Sequence, residues 1–215
     1  MRITVAAGCV FALLFTGAFV AFAEISGTFA DPNPAFIEYY ASSENRARDI
    51  AGMYLMTGAA LAFTVFAIGM ANRFQGPEPS LASAIISATA VLFAACLLVA
   101  AALLGTVSMS RTMADLFDDT GVLEGGETAV LPQAGNVVIM IPGAVMAAAT
   151  IVVISLRSWA SRALPRWICI FGFVASALLV LLAFSGPHLL LLPAWVLAAS
   201  VAMARAGRMQ ARADA

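Results

Sequence analysis

The sequence predicts an all-α integral membrane protein, a single bundle of six transmembrane helices formed by residues 1–215. Composition is the first reason, since 62% of the residues are hydrophobic and 11% are charged, whereas soluble proteins average about 25% charged residues. The second reason is the presence of six apolar runs, most of them near the ~20 residues that a helix needs to cross the hydrocarbon layer. The third reason is the distribution of charge between these runs.

The apolar runs define the six predicted spans. They lie at about 3–23, 51–71, 81–107, 137–156, 167–184 and 189–204, and none of them contains Asp, Glu, Lys or Arg. Proton relays, carboxylate-based sodium sites and voltage sensors place ionisable groups at membrane depth, at a cost of about 2.5–3.5 kcal/mol each. The sequence therefore predicts no mechanism of that kind. Small residues recur in the spans at helix-packing intervals, which predicts closely packed helices.

Basic charge is carried by arginine alone, and most arginines fall on one side of the predicted bundle. The other side holds three arginines and ten of the twelve acidic residues. Because basic residues are enriched in cytoplasmic loops, we predict that both termini face the cytoplasm (N-in/C-in). The eight arginines of the predicted cytoplasmic side are Arg2, Arg73, Arg157, Arg162, Arg166, Arg205, Arg208 and Arg212.

The first run resembles a secretory signal peptide, because Arg2 precedes it and Ala21-Phe22-Ala23 ends it. Its apolar part of about 21 residues is longer than the 7–15 of a signal peptide and is long enough to span a membrane. We therefore expect this run to be retained as a transmembrane helix.

The first external segment, residues 24–50, contains a helix-start signal. Asn33 can cap a helix, and Pro34 suits its first position. The aromatic residues that follow predict a short helix at the outer membrane interface, with the rings of Tyr39 and Tyr40 at headgroup depth. Ser42 or Ser43 is predicted to cap the second span. Glu44 and Arg48 follow it four residues apart, and this spacing predicts a local surface pair between them.

The second external segment, residues 108–136, begins with apolar residues at helical spacing. Met113, Leu116 and Phe117 predict that the third span continues beyond the membrane before Asp118 and Asp119 stop it. The carboxylates of this segment lack the alternating spacing of a calcium loop, and the chain has a single histidine, His188. No metal ligand set, no cofactor site and no catalytic residue is predicted.

Two prolines within the apolar runs predict kinks. Pro142 and Pro193 each remove an intrahelical hydrogen bond, which frees the carbonyls of Val138 and Leu189. Trp195 lies near the predicted membrane centre with an indole N–H that needs an acceptor. An outward-facing cavity bounded by Pro142, Pro193 and Trp195 is therefore a candidate site, and ordinary core packing is the alternative.

The C-terminal part of the sequence carries a family resemblance. Leu164-Pro165-Arg166-Trp167, the Ser185-Gly186-Pro187 turn and Leu192-Pro193-Ala194-Trp195 resemble the C-terminal hairpin of six-span bacterial integral membrane proteins of a domain-of-unknown-function family. The resemblance implies a bacterial cytoplasmic membrane location. It implies no activity.

Three classes of function stay open at this point. The sequence favours a non-enzymatic membrane component that binds a protein or lipid partner, in addition to the surrounding lipid bilayer. A channel or transporter for a neutral or apolar solute is the first alternative, and an embedded enzyme is the second. No feature predicts nucleic-acid binding, and no feature predicts an oligomeric state.

Overall fold

The computed structural model describes residues 2–23, 34–74, 80–117, 127–182 and 186–213, and every element of secondary structure in them is helical. A π-helical segment, Ile139–Gly143, joins the fifth helix to the sixth, and a 3-10 turn, Pro187–Leu190, precedes the last. The helices are α1 (Arg2–Ala21), α2 (Pro34–Ala41), α3 (Ser43–Arg73), α4 (Leu81–Phe117), α5 (Glu127–Val138), α6 (Ala144–Ser161), α7 (Arg166–Leu181) and α8 (Leu191–Ala213).

Within the described residues, five helical stretches are long and apolar enough to cross a membrane: Arg2–Ala21, Ser43–Arg73, Leu81–Phe117, Ala129–Ser161 and Pro187–Met209. The predicted run at 167–184 forms α7, which has 16 residues. At 1.5 Å per residue α7 extends about 24 Å, less than the ~30 Å of a hydrocarbon core. By length, the described helices thus support five of the six predicted crossings.

The long helices form a closed ring. Following the contacts, α1 packs against α3, α3 against α4, α4 against α6, α6 against α7, α7 against α8, and α8 returns to α1. Buried aromatic rings fill the middle, where Phe66 of α3 contacts Trp195 of α8 edge to face at 6.4 Å between ring centroids. Large apolar side chains such as Leu13, Leu61 and Leu181 point outward and are exposed. An apolar exterior around a packed ring is what a lipid environment requires.

Small residues allow the close approach of these helices. Ala60 and Ala67 of α3 and Ala147 of α6 are buried. A Cβ atom added at Gly8 of α1 would lie 2.0 Å from the Ser200 Oγ atom of α8. The predicted packing through small residues is confirmed in these helices.

The boundaries of α2 and α3 follow the local sequence signals. The helix α2 begins at Pro34, as predicted, while Asn33 lies outside the described residues. Ser42 caps α3 through its side chain, which accepts a hydrogen bond from the Asn45 backbone N–H at 3.4 Å. The rings of Tyr39 and Tyr40 are buried against the protein, and their location at headgroup depth stays a prediction.

The prolines are accommodated without breaking their helices. Pro142 lies in the π-helical segment, where the Ala144 N–H donates to the Ile139 carbonyl five residues earlier. A π-helical turn of this kind accommodates the hydrogen bond that proline, which has no backbone N–H, cannot donate. Pro193 is the third residue of α8, and the Leu191 N–H at the start of that helix donates to the His188 carbonyl of the preceding 3-10 turn.

The two ends of the ring differ in charge. At the arginine end, Arg157 of α6 donates to the Ser80 hydroxyl before α4 at 3.2 Å, and the turn between α6 and α7 lies beside the last turns of α8. At the opposite end, here called the acidic end, Arg46 of α3 pairs with Asp115 of α4. The third predicted span continues to Phe117, which confirms the predicted extension of this helix.

Candidate functional site

The predicted site residues lie in different surroundings. Trp195 is fully buried, and its Nε1 donates to the Ile168 carbonyl of α7 at 3.1 Å. Gly172 allows this contact, because a Cβ there would lie 2.6 Å from Trp195 Nε1. Pro142 is exposed and Pro193 is buried. None of these three predicted residues lines either of the two cavities described below.

A buried carboxylate occupies the acidic end. Asp49, in the second turn of α3, has no exposed surface. Its Oδ1 accepts a hydrogen bond from the Tyr39 hydroxyl at 2.8 Å, and its Oδ2 accepts one from the Ser108 hydroxyl of α4 at 2.7 Å. These bonds join α2, α3 and α4 at one point. A buried carboxylate with two hydroxyl donors is the kind of polar group that specifies a unique arrangement of helices.

The tyrosines of this cluster are perturbed by their surroundings. Burial raises the pKa of Tyr39 above its ordinary value, and the nearby Asp49 carboxylate adds to the rise, while Arg48 opposes it. Burial also raises the pKa of Tyr40, again with a contribution from Asp49 and with Arg111 opposing. Both hydroxyls therefore keep their protons through the physiological range. The cluster is therefore neutral at its two tyrosines.

Sequence reasoning missed Asp49, because it treated the charged start of the second span as a surface. The signal was present in the helical spacing. The buried residues Gly52, Met56 and Ala59 of α3 recur at intervals of three to four, and the same interval counted backward reaches Asp49. A carboxylate on the buried face of a helix needs donors, and Tyr39 and Ser108 supply them.

A groove of about 1110 Å³ lies at the arginine end, between the turn from α6 to α7 and the last turns of α8. We call it the arginine groove. Arg162, Arg166 and Arg205 line it together with Trp159 and Trp167, and all five are exposed. The guanidinium carbon of Arg166 lies 5.7 Å from the centre of the Trp159 ring, within cation–π range. The remaining wall is mainly apolar and includes Leu164, Leu197, Val201 and Met209.

The local backbone explains how the arginines reach the groove. Arg162 ends α6 in the left-handed conformation, with φ at 56°, and its N–H donates to the Ser158 carbonyl. Pro165 then precedes α7 in an extended conformation and places Arg166 at the first helical position. The short turn thus brings Arg162 and Arg166 to one rim, across from Arg205 on α8.

A second cavity, of about 710 Å³, lies at the acidic end. We call it the acidic-end cavity. It opens to the outside of the bundle, and residues at the end of α1, in α5, in the π-helical segment and in the 3-10 turn line it. Its described lining contains two amide side chains and no ionisable one: Phe19, Phe22, Ala23, Met56, Leu104, Gln133, Asn136, Val137, Ile139, Met140, Gly186, Pro187 and Leu189.

Within the described residues, no group of three or more His, Cys, Asp or Glu side chains is placed to hold a metal ion. The apolar helices and their outward-facing apolar side chains define the chain as a helical membrane protein. Comparison with protein families, with curated proteins and with solved structures finds no match to this chain.

Proposed function

We propose that this chain is a non-enzymatic component of a bacterial cytoplasmic membrane that binds an anionic phospholipid in the arginine groove. Its six helices cross the bilayer with both termini and the groove on the cytoplasmic side. The likeness of the C-terminal hairpin to a domain-of-unknown-function family is part of this proposal and contributes no activity to it.

The arginine groove is the observation that carries the proposal. Three exposed guanidinium groups, from Arg162, Arg166 and Arg205, surround one mainly apolar surface. Guanidinium groups bind phosphate oxygens in bidentate geometry, and apolar walls suit acyl chains. Basic pockets between transmembrane helices on the cytoplasmic side are typical binding sites for anionic lipid headgroups. The two exposed tryptophans suit the membrane interface, where indole rings concentrate.

The ends of α7 support a sixth crossing. Arg166 begins α7 and lines the arginine groove with Arg205 of α8. Gly186, five residues after α7, lines the acidic-end cavity with Phe22 and Gln133. Residues 166 and 186 therefore lie at opposite ends of the ring. Residue 166 at one end and residue 186 at the other support α7 as the sixth span.

Charge supports the orientation. Arg73 and Arg157 lie at the same end as the groove, whereas Asp115 and Asp49 lie at the other. The positive-inside rule then assigns the arginine end to the cytoplasm. The anionic lipids of the cytoplasmic leaflet face that end, so the groove and its proposed ligand share one side of the membrane.

Lipid binding tests the proposal. Purified full-length protein is placed in nanodiscs of dioleoylphosphatidylcholine, and binding of dioleoylphosphatidylglycerol is measured. At about 1 kcal/mol for each arginine near the surface, the R162Q/R166Q/R205Q variant should bind about 100-fold more weakly than the wild type.

A matched triple variant distinguishes lipid binding at the groove from general attraction by the positive charge of this end. R2Q/R73Q/R157Q removes the same charge from the same end but leaves the groove intact, so it should retain most of the wild-type affinity. Equal losses in the two triple variants, or no preference of the wild type for the anionic lipid, would contradict the proposal.

A further inference from the structure

The acidic-end cavity has the size and composition of a small-molecule site. Its volume of about 710 Å³ falls within the ~300–1,000 Å³ of ligand pockets, which are mostly apolar with a few placed polar groups. The cavity lies at the opposite end of the bundle from the arginine groove. A ligand bound in this cavity would therefore be separate from the lipid proposed for the arginine groove.

The two polar groups of this cavity come from one face of α5. Gln133 and Asn136 are three residues apart, which places them on the same side of a helix, and both line the cavity. The Nδ2 atom of Asn136 is buried and has no hydrogen-bond partner among the described residues. An unsatisfied buried amide is costly. Asn136 also lines the cavity, so a turn of its side chain would present this donor to a ligand that offers an acceptor oxygen, and the hydrogen bond would remove that cost.

The rest of the described lining restricts the ligand further. None of the described lining residues is ionisable, so a charged ligand would lose its hydration without gaining a counter-charge from them. Phe19, Phe22 and the sulfur-bearing Met56 and Met140 provide faces and edges that suit a flat ring. Met140 belongs to the π-helical segment, a distortion that is frequent at functional sites.

We propose that the acidic-end cavity binds an uncharged, membrane-soluble molecule with a carbonyl oxygen, of the alkyl-benzoquinone type. The carbonyl accepts a hydrogen bond from Asn136 Nδ2, and the ring packs between the phenylalanine and methionine side chains. The alkyl tail leaves through the open side of the cavity. This site is independent of the arginine groove, and neither proposal depends on the other.

Two probes that differ in their carbonyl groups test the site. Decylubiquinone carries ring carbonyls and decylbenzene carries none. Their binding to the purified full chain in detergent is measured by isothermal titration calorimetry. We expect decylubiquinone to bind at one molecule per chain, with decylbenzene at least tenfold weaker. Equal binding of the two probes would overturn the proposal and leave only an apolar crevice.

Variants assign the binding to this cavity. N136L should weaken decylubiquinone binding about tenfold, whereas N72L, the same change at an exposed position of α3 at the arginine end, should leave it unchanged. A23W fills the cavity from an exposed rim position, so it tests the site even if N136L fails to fold. Wild-type binding in A23W or in folded N136L would refute the assignment. Displacement of the probe by dioleoylphosphatidylcholine would show that the cavity takes a lipid ester instead.

Discussion

Asp49 shows how much one side chain can determine in a bundle of mostly apolar contacts. Its two oxygens accept hydrogen bonds from hydroxyls on two other helices, at 2.8 Å from Tyr39 and 2.7 Å from Ser108. Removing the carboxylate leaves both hydroxyls buried without this acceptor, at about 1–3 kcal/mol for each unsatisfied group. Asp49 therefore stabilises the packing of α2 and α4 against α3.

D49L is expected to lower the free energy of unfolding by about 2–4 kcal/mol, because it removes both bonds at once. D49N keeps one carbonyl acceptor, so its free energy of unfolding should fall by less than that of D49L. Reversible unfolding in mixed micelles, followed by helix content, gives the values. The control is D115N, which removes a carboxylate whose side chain is 64% exposed in its pair with Arg46 and should cost less than about 1 kcal/mol. Equal losses in D49L and D115N would show that burial of Asp49 contributes nothing.

At the scale of elements, α2 depends on its aromatic residues for its position. It has eight residues, too few to be stable as an isolated helix. Phe36 and Tyr40 stack at 6.2 Å between ring centroids, and Tyr39 packs edge to face on Tyr40 at 5.1 Å. The Asn45 amide and the Arg46 guanidinium donate to the carbonyls of Tyr39 and Tyr40. Docking of α2 thus rests on its buried rings, on these two carbonyl acceptors and on the Tyr39 hydroxyl, which donates to Asp49. The buried Tyr40 hydroxyl has no hydrogen-bond partner among the described residues.

Alkaline pH should release α2. Burial, with Asp49, raises the pKa of Tyr39 and of Tyr40 in the folded chain. Above about pH 10 the unfolded chain releases these protons while the folded chain keeps them, so stability falls by about 1.4 kcal/mol per pH unit for each tyrosine. Below that pH the contribution is fully present.

The measurement is the dependence of unfolding free energy on pH between about 9 and 11.5. Y39F removes one titrating group, so its slope above pH 10 should be smaller than that of the wild type. Its stability at pH 7 should be lower by about 1 kcal/mol, because the bond to Asp49 is lost. An unchanged slope in both Y39F and Y40F would contradict the role of these hydroxyls.

At the scale of the whole molecule, the features predictable from the sequence were those that depend on local signals. Pro34 begins α2, Ser42 caps α3, and apolar spacing extends α4 to Phe117. Composition and run length gave the class of fold, because a membrane requires long apolar helices. Each of these signals lies within a few residues of the structure that it determines.

The remaining features depend on which helices become neighbours. The indole of Trp195 was expected to need an acceptor, but only the packing of α8 on α7 makes that acceptor the Ile168 carbonyl. The arginine groove joins residues more than forty positions apart, from Arg162 to Arg205. No local sequence pattern predicts contacts between residues so far apart in the chain. The small residues that decide which helices pack together are common to most membrane helices, so they do not identify the partners.

The central claim is that the chain crosses the membrane six times with its arginine end inside, and cysteine labelling tests it most directly. Single cysteines replace Leu116 at the acidic end, Ser161 at the end of α6 and Met209 near the end of α8, in a chain whose native Cys9, Cys96 and Cys169 are changed to alanine. Spheroplasts are treated with a membrane-impermeant maleimide before and after lysis.

The account predicts that L116C reacts in intact spheroplasts, whereas S161C and M209C react only after lysis. Labelling of M209C from outside, with S161C protected, would mean that α7 does not cross and that the chain has five spans. Labelling of S161C and M209C from outside, with L116C protected, would reverse the orientation and remove the arginine groove from the cytoplasmic leaflet.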